Sequence, residues 1–176
     1  LSIVQQLKDN GSKLLLNSRV TDVAFDDVKD CYLVHYNNIA RRTKRVIFAL
    51  PQPALLKIKL LNPIHSLLRN TIKCKSLCRV YAKFKPQDIW FRDINKTVTN
   101  NALRYIIPMD REKGTIMISY TDDIYCEYWK TRQNNQTKLK KSVVDLVKMT
   151  FNKRVAEPEK VWVFYWECGV GYWNKG

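Results

Sequence analysis

The sequence predicts a mixed sheet with helices packed against it, in the α+β or the α/β class. Hydrophobic residues make up 45% of the 176 residues, which is enough for a buried core. Residues 31–36 and 76–84 alternate between two side-chain faces, as strands do. Residues 137–153 instead repeat apolar side chains at helical spacing. Helices and strands therefore share one chain, as in a layered α+β or α/β domain.

The first fifty residues predict one short helix at the start and a strand at the end. Leu1, Val4 and Leu7 repeat at helical spacing, and Gly11 predicts the end of that helix. Residues 46–50 form a continuous apolar run that ends at a proline. A run of this kind is typical of a strand that is buried on both faces.

The rest of the chain predicts short elements and one long helix. The expected helices are 54–58, 64–70, 124–130 and 137–153. The expected strands are 76–84, 104–107, 115–120 and 161–166. Residues 86–102 are expected to form a polar loop around the aromatic pair Trp90-Phe91.

The chain is strongly basic, with 31 Lys and Arg against 16 Asp and Glu and a formal net charge of +15. A basic surface can hold nucleic acid or an anionic membrane, and residues 41–45 and 138–141 are dense basic stretches. The chain is also rich in Lys, Asn, Ile and Tyr, the composition that AT-rich genomes encode. In that case much of the lysine forms a solvated surface without a ligand. Both interpretations stay open here.

The cysteine pattern predicts reduced thiols in an intracellular, cytoplasmic protein. The five cysteines are Cys31, Cys74, Cys78, Cys126 and Cys168. Their number is odd, none forms a Cys-x-x-Cys pair, and no secretion signal is visible at the start of the chain. With only two histidines, a metal site or a Cys–His or Ser–His hydrolase is not expected. No apolar run approaches the roughly 20 residues of a membrane span.

A set of motifs, in a fixed order along the chain, resembles a known family. The motifs are residues 11–25 with Val20, Val46-Ile-Phe-Ala-Leu-Pro51, Leu60-Leu-Asn-Pro63, Leu67-Leu-Arg-Asn70, residues 76–84 with Ile89-Trp90, and Trp162 with Gly169-x-Gly171-Tyr172. Together they resemble the flavin-containing amine oxidases, which include monoamine, polyamine and L-amino-acid oxidases and the flavin-type histone demethylases. The resemblance implies the α+β fold of the substrate-binding domain of these enzymes, in which a mixed, mostly antiparallel sheet is flanked by helices.

The resemblance implies a division of the chain. Residues 1–50 would be partial strands and a helix of the FAD-binding domain, and residues 51–160 the substrate-binding domain. Residues 161–176 would be a return strand and an aromatic, Gly-rich segment toward the flavin. The Gly-x-Gly-x-x-Gly turn of a dinucleotide site is absent from this sequence. We therefore expect a fragment of a longer flavoprotein that does not retain FAD well by itself.

The resemblance also implies an activity. In these oxidases FAD takes a hydride from the carbon beside an amine, water hydrolyses the resulting imine, and oxygen reoxidises the flavin to give hydrogen peroxide. The family lysine that holds a water near the flavin falls on Arg79. Arginine does not lose its proton, so Arg79 would place a permanent cation there. Lys75 or Lys83 takes the position under another alignment, and Arg79 is otherwise an ordinary strand residue paired with a carboxylate.

The remaining site residues also follow from the resemblance. Tyr172 would be one wall of an aromatic cage that receives the substrate amine, and Trp162 matches a second family position. Val20 would contact the adenine end of FAD through its backbone. The alternative is that both aromatic residues belong to a core and that Val20 is a plain strand residue. Weaker aromatic candidates are Tyr165, Trp166 and Trp173.

A second function class stays open beside the oxidase. Arg79 in place of lysine and the +15 charge also fit a catalytically inactive, oxidase-like module that binds nucleic acid, an anionic surface or a protein partner. A cationic substrate such as a polyamine is disfavoured by the charge unless the pocket entrance is acidic. The residues that could make it acidic are Asp110, Glu112, Asp122, Asp123 and Glu127.

Overall fold

The computed structural model describes residues 2–174, so Leu1, expected in the first helix, and the last two residues of the 161–176 segment lie outside the described residues. The chain divides into two compact units, Leu1–Asn70 and Thr71–Gly176. The expected assignment of 1–50, 51–160 and 161–176 to parts of a flavoenzyme stays a prediction. No helix among residues 2–174 is long and apolar enough to cross a membrane.

The first unit combines short helices with a small antiparallel sheet. Its elements are α1 (Ile3–Asp9), β1 (Val20–Asp26), β2 (Cys31–Tyr36), β3 (Ile39–Thr43), α2 (Gln52–Leu55) and α3 (His65–Thr71), the last of which ends at the first residue of the second unit. The strand order is β1-β2-β3. Asn37 and Asn38 join β2 to β3 with φ angles of 46° and 60°, the left-handed conformation that a two-residue hairpin turn needs.

The N-terminal helix is confirmed, but the predicted strand at residues 46–50 is wrong. Gly11, which follows α1, has a φ of 73°, as a residue that ends a helix often does. Residues 46–50 have no regular structure, and Ile47 is 92% exposed. A strand buried on both faces needs a neighbouring strand on each side, and no strand within residues 2–174 pairs with this segment.

The second unit is built on one five-stranded sheet. Its strands are β4 (Ile72–Lys83), β5 (Thr97–Val98), β6 (Tyr105–Asp110), β7 (Thr115–Asp122) and β8 (Lys160–Trp173), and its helices are α4 (Ile124–Lys130) and α5 (Gln136–Phe151). The strand order is β5-β6-β7-β4-β8, and the paired strands are antiparallel. The predicted α+β class with a mostly antiparallel sheet is confirmed.

The core of this unit lies between one face of the sheet and the two helices. Cys78, Val80 and Ala82, at alternate positions of β4, are completely buried. The apolar stripe of α5 packs with them, as its spacing predicts; its members are Leu139, Val143, Leu146 and Val147. Because strand residues alternate between faces, the intervening residues of β4 point to the other face of the sheet.

The expectation of five reduced thiols is wrong for one pair. Cys74 and Cys168 form a disulfide, with their Cα atoms 4.9 Å apart. The two residues lie on the paired strands β4 and β8 but are separated by 94 positions in the sequence. Sequence spacing therefore carries no sign of the pair, because strand pairing alone brings the two together. Cys31, Cys78 and Cys126 are free and buried.

Candidate functional site

The face of the second unit's sheet that does not pack on α4 and α5 is rich in aromatic side chains. We call it the aromatic face, and its aromatic residues are Tyr81, Tyr105, Tyr120, Trp162, Phe164 and Trp166. Three of them lie at alternate positions of β8 and are 37%, 48% and 44% exposed, in the order Trp162, Phe164 and Trp166. Exposed aromatic residues in one contiguous patch mark a surface that binds something.

Arg79 lies in the middle of this face. On β4 it stands opposite Tyr120 of β7 and opposite Phe164 of β8. Its guanidinium lies over the Tyr120 ring, 5.0 Å from the ring centroid. Its Nε is buried and has no hydrogen-bond partner among the described residues. Within residues 2–174 no carboxylate pairs with Arg79, so the structure shows a cation that lies over the ring of Tyr120.

Trp162 lies close to Arg79 on the same face. It stands opposite Tyr81 in the β4–β8 pairing, two positions along β4 from Arg79. Tyr81 meets Phe164 edge to face, with ring centroids 5.8 Å apart, and Phe164 stacks on Trp166 at 6.4 Å. Tyr81, Phe164 and Trp166 therefore form a row of ring contacts beside Arg79, and a second cation, the Lys160 ammonium, lies 5.4 Å from the centroid of the Trp162 ring.

Tyr172 lies at the far end of the same strand pair. It stands opposite Lys73, six positions along β4 from Arg79, which is roughly 20 Å at the usual strand rise. The Lys75 ammonium lies 5.6 Å from the centroid of its ring. Of the predicted site residues, the structure brings Arg79 and Trp162 together and leaves Tyr172 apart from them.

A bulge in β8 separates Tyr172 from the aromatic wall. Leu77 pairs with Trp166, whereas Lys75 pairs with Val170, so three residues of β8 lie opposite Ser76. Gly169 belongs to this bulge, and a Cβ there would collide with the Leu77 side chain and come within 3.1 Å of Trp166 Cβ. Only glycine lets the two backbones approach so closely.

The two alternative lysines are both engaged elsewhere. Lys75 forms an ion pair with Asp123 at 2.8 Å, and this hydrogen bond raises the pKa of the lysine above its usual value. The Lys83 ammonium donates to the backbone carbonyl of Lys113. The ion pair favours the charged form of Lys75, so Lys75 does not fit the role of a proton-accepting lysine.

The remaining candidates are not among the residues of the aromatic face. Val20 begins β1 in the first unit, opposite Tyr36, and is half exposed. Tyr165 points to the core side, where the Lys130 ammonium lies 4.7 Å from its ring centroid. Trp173 is 75% exposed near the end of the described chain.

Lysines already neutralise much of the candidate acidic entrance. Asp110, Asp123 and Glu127 pair with Lys113, Lys75 and Lys130. Hydrogen bonds from the backbone N–H of Lys113 and Glu112 also lower the pKa of the Asp110 carboxyl. No strongly acidic surface follows from these residues.

A comparison with protein families identifies the chain. The family described as flavin containing amine oxidoreductase matches residues 2–169. The chain belongs to this family. The predicted resemblance is confirmed, and the family implies a flavin cofactor in its full-length members.

Two solved structures share the fold of this chain. One is described as a protoporphyrinogen oxidase from Exiguobacterium sp. 255-15, with a TM-score of 0.70, 13% identity and 96% of this chain covered. The other is the cyclohexylamine oxidase from Brevibacterium oxydans IH-35A, with a TM-score of 0.62, 13% identity and 86% covered. The chain spans 39% and 34% of the lengths of these proteins. A search of the curated proteins finds no match.

The described residues fit one part of a flavin better than another. The aromatic face, with the unpartnered Nε of Arg79, suits a flat ring system that carries polar atoms at its edge. A pyrophosphate needs a glycine-rich turn at a helix N-terminus, and the described glycines, Gly11, Gly114, Gly169 and Gly171, form no such turn.

Sequence reasoning did not single out Tyr120 and Phe164. Their positions follow from the register of β7 and β8 against β4, which no local pattern contains. The one available signal was strand alternation, which already places Tyr81 and Arg79 on one side of β4.

Proposed function

We propose that this chain is the substrate-binding part of an FAD-dependent oxidase that deaminates an amine oxidatively. The observation that carries the proposal is the unpaired Arg79 guanidinium in the middle of an exposed aromatic face, in a chain of the amine oxidoreductase family. A bound flavin would supply the two-electron oxidation of the carbon beside the amine. Water would then hydrolyse the imine, and oxygen would accept the two electrons and be released as hydrogen peroxide.

In this proposal the aromatic side chains bind and orient the substrate. Trp162, Phe164 and Tyr81 would supply an apolar wall that excludes water from the amine. Tyr172 and the Lys75 ammonium over its ring would form an outer contact, some distance along the strand pair. Val20 remains the proposed contact for the adenine end of FAD.

Arg79 has a proposed electrostatic role. A permanent cation beside the substrate disfavours the ammonium form and so lowers the pKa of the bound amine. The amine must be neutral to release a hydride from the adjacent carbon, so Arg79 would select the reactive form. This role needs no proton transfer, which suits an arginine.

The test uses the protein produced from this coding sequence together with its flanking sequence. We expect a flavin absorbance band at roughly 450 nm, and loss of that band when a substrate amine is added without oxygen. The 176-residue chain alone is the control, and we expect it to purify without that band. A complete protein without flavin would contradict the proposal.

A second candidate is a non-catalytic module that binds an anionic partner. It is favoured by the unpaired cations: the chain has 31 Lys and Arg, yet residues 2–174 contain three ion pairs. Binding to DNA that weakens steeply with added salt, in a complete protein that carries no flavin, would favour this candidate.

Location in the cell is also a proposal. We propose a cytoplasmic protein, as the sequence predicts. The Cys74–Cys168 disulfide disfavours this location, because stable disulfides are rare in the cytosol. The number of reactive thiols in the unreduced protein tests whether this disulfide forms.

A further inference from the structure

A second concave surface lies between α4 and α5, the helices that cover the core side of the sheet. This α4–α5 groove has a volume of about 450 Å³. Its lining includes Tyr128, Thr131, Arg132, Lys138, Lys141 and Ser142. Tyr128, Thr131 and Arg132 form the α4 side, and Lys138, Lys141 and Ser142 form the α5 side. Within each side the second and third residues lie three and four positions after the first, so the three side chains share one face.

The lining of the groove is positively charged and unpaired. Arg132, Lys138 and Lys141 supply three cations, and Asp145 supplies the one lining carboxylate, which leaves a net charge of +2. None of the three cations forms an ion pair within residues 2–174. Like charges gathered around one concavity repel each other, and a bound anion removes that repulsion.

Arg132 is held in a fixed orientation. Its guanidinium lies 3.8 Å from the centroid of the Tyr128 ring. Its Nη1 donates to the Tyr128 carbonyl at 2.7 Å and to Thr131 Oγ1 at 3.1 Å. The other guanidinium N–H groups make no hydrogen bond to the described residues. A planar fork with free donors is the arrangement that binds two oxygens of a phosphate.

Ser142 adds a neutral donor to the same surface. The residue is only 7% exposed, and its hydroxyl has no hydrogen-bond partner among residues 2–174. A serine inside a helix often donates to the carbonyl four positions earlier, as Thr150 does to Leu146. The free hydroxyl of Ser142 therefore remains available to a ligand in the groove.

The groove is formed before any ligand arrives. The Gln136 side chain bonds both backbone groups of Val161, with distances of 2.7 Å and 3.2 Å, and so fixes the start of α5 to β8. The Asn135 side chain accepts a hydrogen bond from the Lys138 N–H at 2.9 Å. A preformed, positively charged concavity loses little entropy when it binds a ligand.

We propose that the α4–α5 groove binds a compact polyanion of the phosphate class, such as a pyrophosphate group. The cations converge on one concavity instead of forming an extended row, which favours a compact anion over a nucleic acid backbone. The proposal does not depend on the oxidase activity, because the groove residues lie on the helix side of the sheet and the aromatic face on the other.

The test is calorimetric titration of the 176-residue chain with inorganic pyrophosphate at low ionic strength. The groove variant is Lys138→Gln with Lys141→Gln, and we expect it to bind about tenfold more weakly or worse. The matched control is Lys148→Gln with Lys153→Gln, which removes the same charge outside the groove lining and is expected to stay within about twofold of the unchanged chain. All four lysines are exposed, so both variants are expected to fold.

Three outcomes would overturn the proposal. The first is no heat of binding for pyrophosphate in the unchanged chain. The second is equal weakening in the groove variant and in the control, since that is the behaviour of a diffuse basic surface. The third is binding of a mixed-sequence single-stranded oligonucleotide that excess pyrophosphate does not displace. That result would mean that the groove cations bind a nucleic acid and not a compact anion.

Discussion

The guanidinium of Arg79 lies 5.0 Å from the centroid of the Tyr120 ring, while its buried Nε has no partner among the described residues. A cation–π contact of this kind contributes about 0.5–2 kcal/mol. A buried donor without a partner costs about 1–3 kcal/mol. The two effects are of similar size, so Arg79 adds little to the stability of the fold, and a stability argument does not explain its position.

This balance predicts the effect of replacing Arg79. We expect Arg79→Met to leave the free energy of unfolding of the chain unchanged or to raise it by up to about 1 kcal/mol, because the orphaned donor is removed. Arg104→Met is the control: Arg104 also lies over a ring, that of Tyr125 at 5.3 Å, but it hydrogen-bonds the Thr99 carbonyl. That variant is expected to lose stability. Urea unfolding measures both, and a large loss in Arg79→Met would contradict the argument.

The bulge in β8 predicts a sharp difference between two neighbouring glycines. A methyl group at Gly169 would collide with Leu77, whereas a Cβ at Gly171 meets nothing within 4 Å. We therefore expect Gly169→Ala to destabilise the chain by about 2–3 kcal/mol, and Gly171→Ala to change it by less than about 1 kcal/mol. Urea unfolding measures the free energy of unfolding of both variants. Equal losses would contradict the prediction, because they would show that the bulge accommodates a methyl group at Gly169 without destabilising the chain.

The local elements were predictable from sequence because short-range patterns specify them. The expected helix 124–130 is α4 to the residue, and the apolar stripe that predicts α5 is the stripe that is buried. The run at 46–50 shows where this reasoning fails. An apolar run indicates that a strand could be buried, but it forms one only where partner strands exist.

The candidate site could be predicted only in part. Alternation along β4 places Arg79 and Tyr81 on one face, and the family resemblance singled out Trp162. Strand pairing sets Tyr120 and Phe164 opposite Arg79, although Tyr120 is 41 residues and Phe164 is 85 residues later in the sequence. Long-range pairing of this kind leaves no trace in local spacing, and the same is true of the Cys74–Cys168 pair.

The disulfide predicts a definite thiol count. Three thiols should react in the denatured chain without reductant, those of Cys31, Cys78 and Cys126, and five should react after reduction. Because the bridge closes a loop of 94 residues, we expect Cys168→Ser to lower the free energy of unfolding by about 2–4 kcal/mol in oxidising buffer. Reductant in the unfolding buffer should abolish most of that difference. Five reactive thiols in the unreduced protein would show that the bridge does not form in solution.

The buried thiol of Cys78 predicts how stability depends on pH in the alkaline range. Burial raises the pKa of this thiol to about 12, whereas an unfolded cysteine ionises near about 8.5. Between these values the folded chain keeps a proton that the unfolded chain releases. The free energy of unfolding therefore falls as pH rises through this window, by up to about 1.4 kcal/mol per pH unit.

The Cys78→Ala variant isolates this effect, because every other titrating group is present in both proteins. At pH 7–8 the substitution should cost stability, since it removes a completely buried side chain from the core. As pH rises from 8 to 10, the unchanged chain should lose the part of its free energy of unfolding that comes from the raised pKa of Cys78. The variant has no such part to lose, so the difference in free energy of unfolding between the two proteins should shrink. Urea unfolding at pH 8, 9 and 10 under argon measures this difference. A difference that stays constant would contradict the prediction, because it would mean that Cys78 ionises as readily in the folded chain as in the unfolded one.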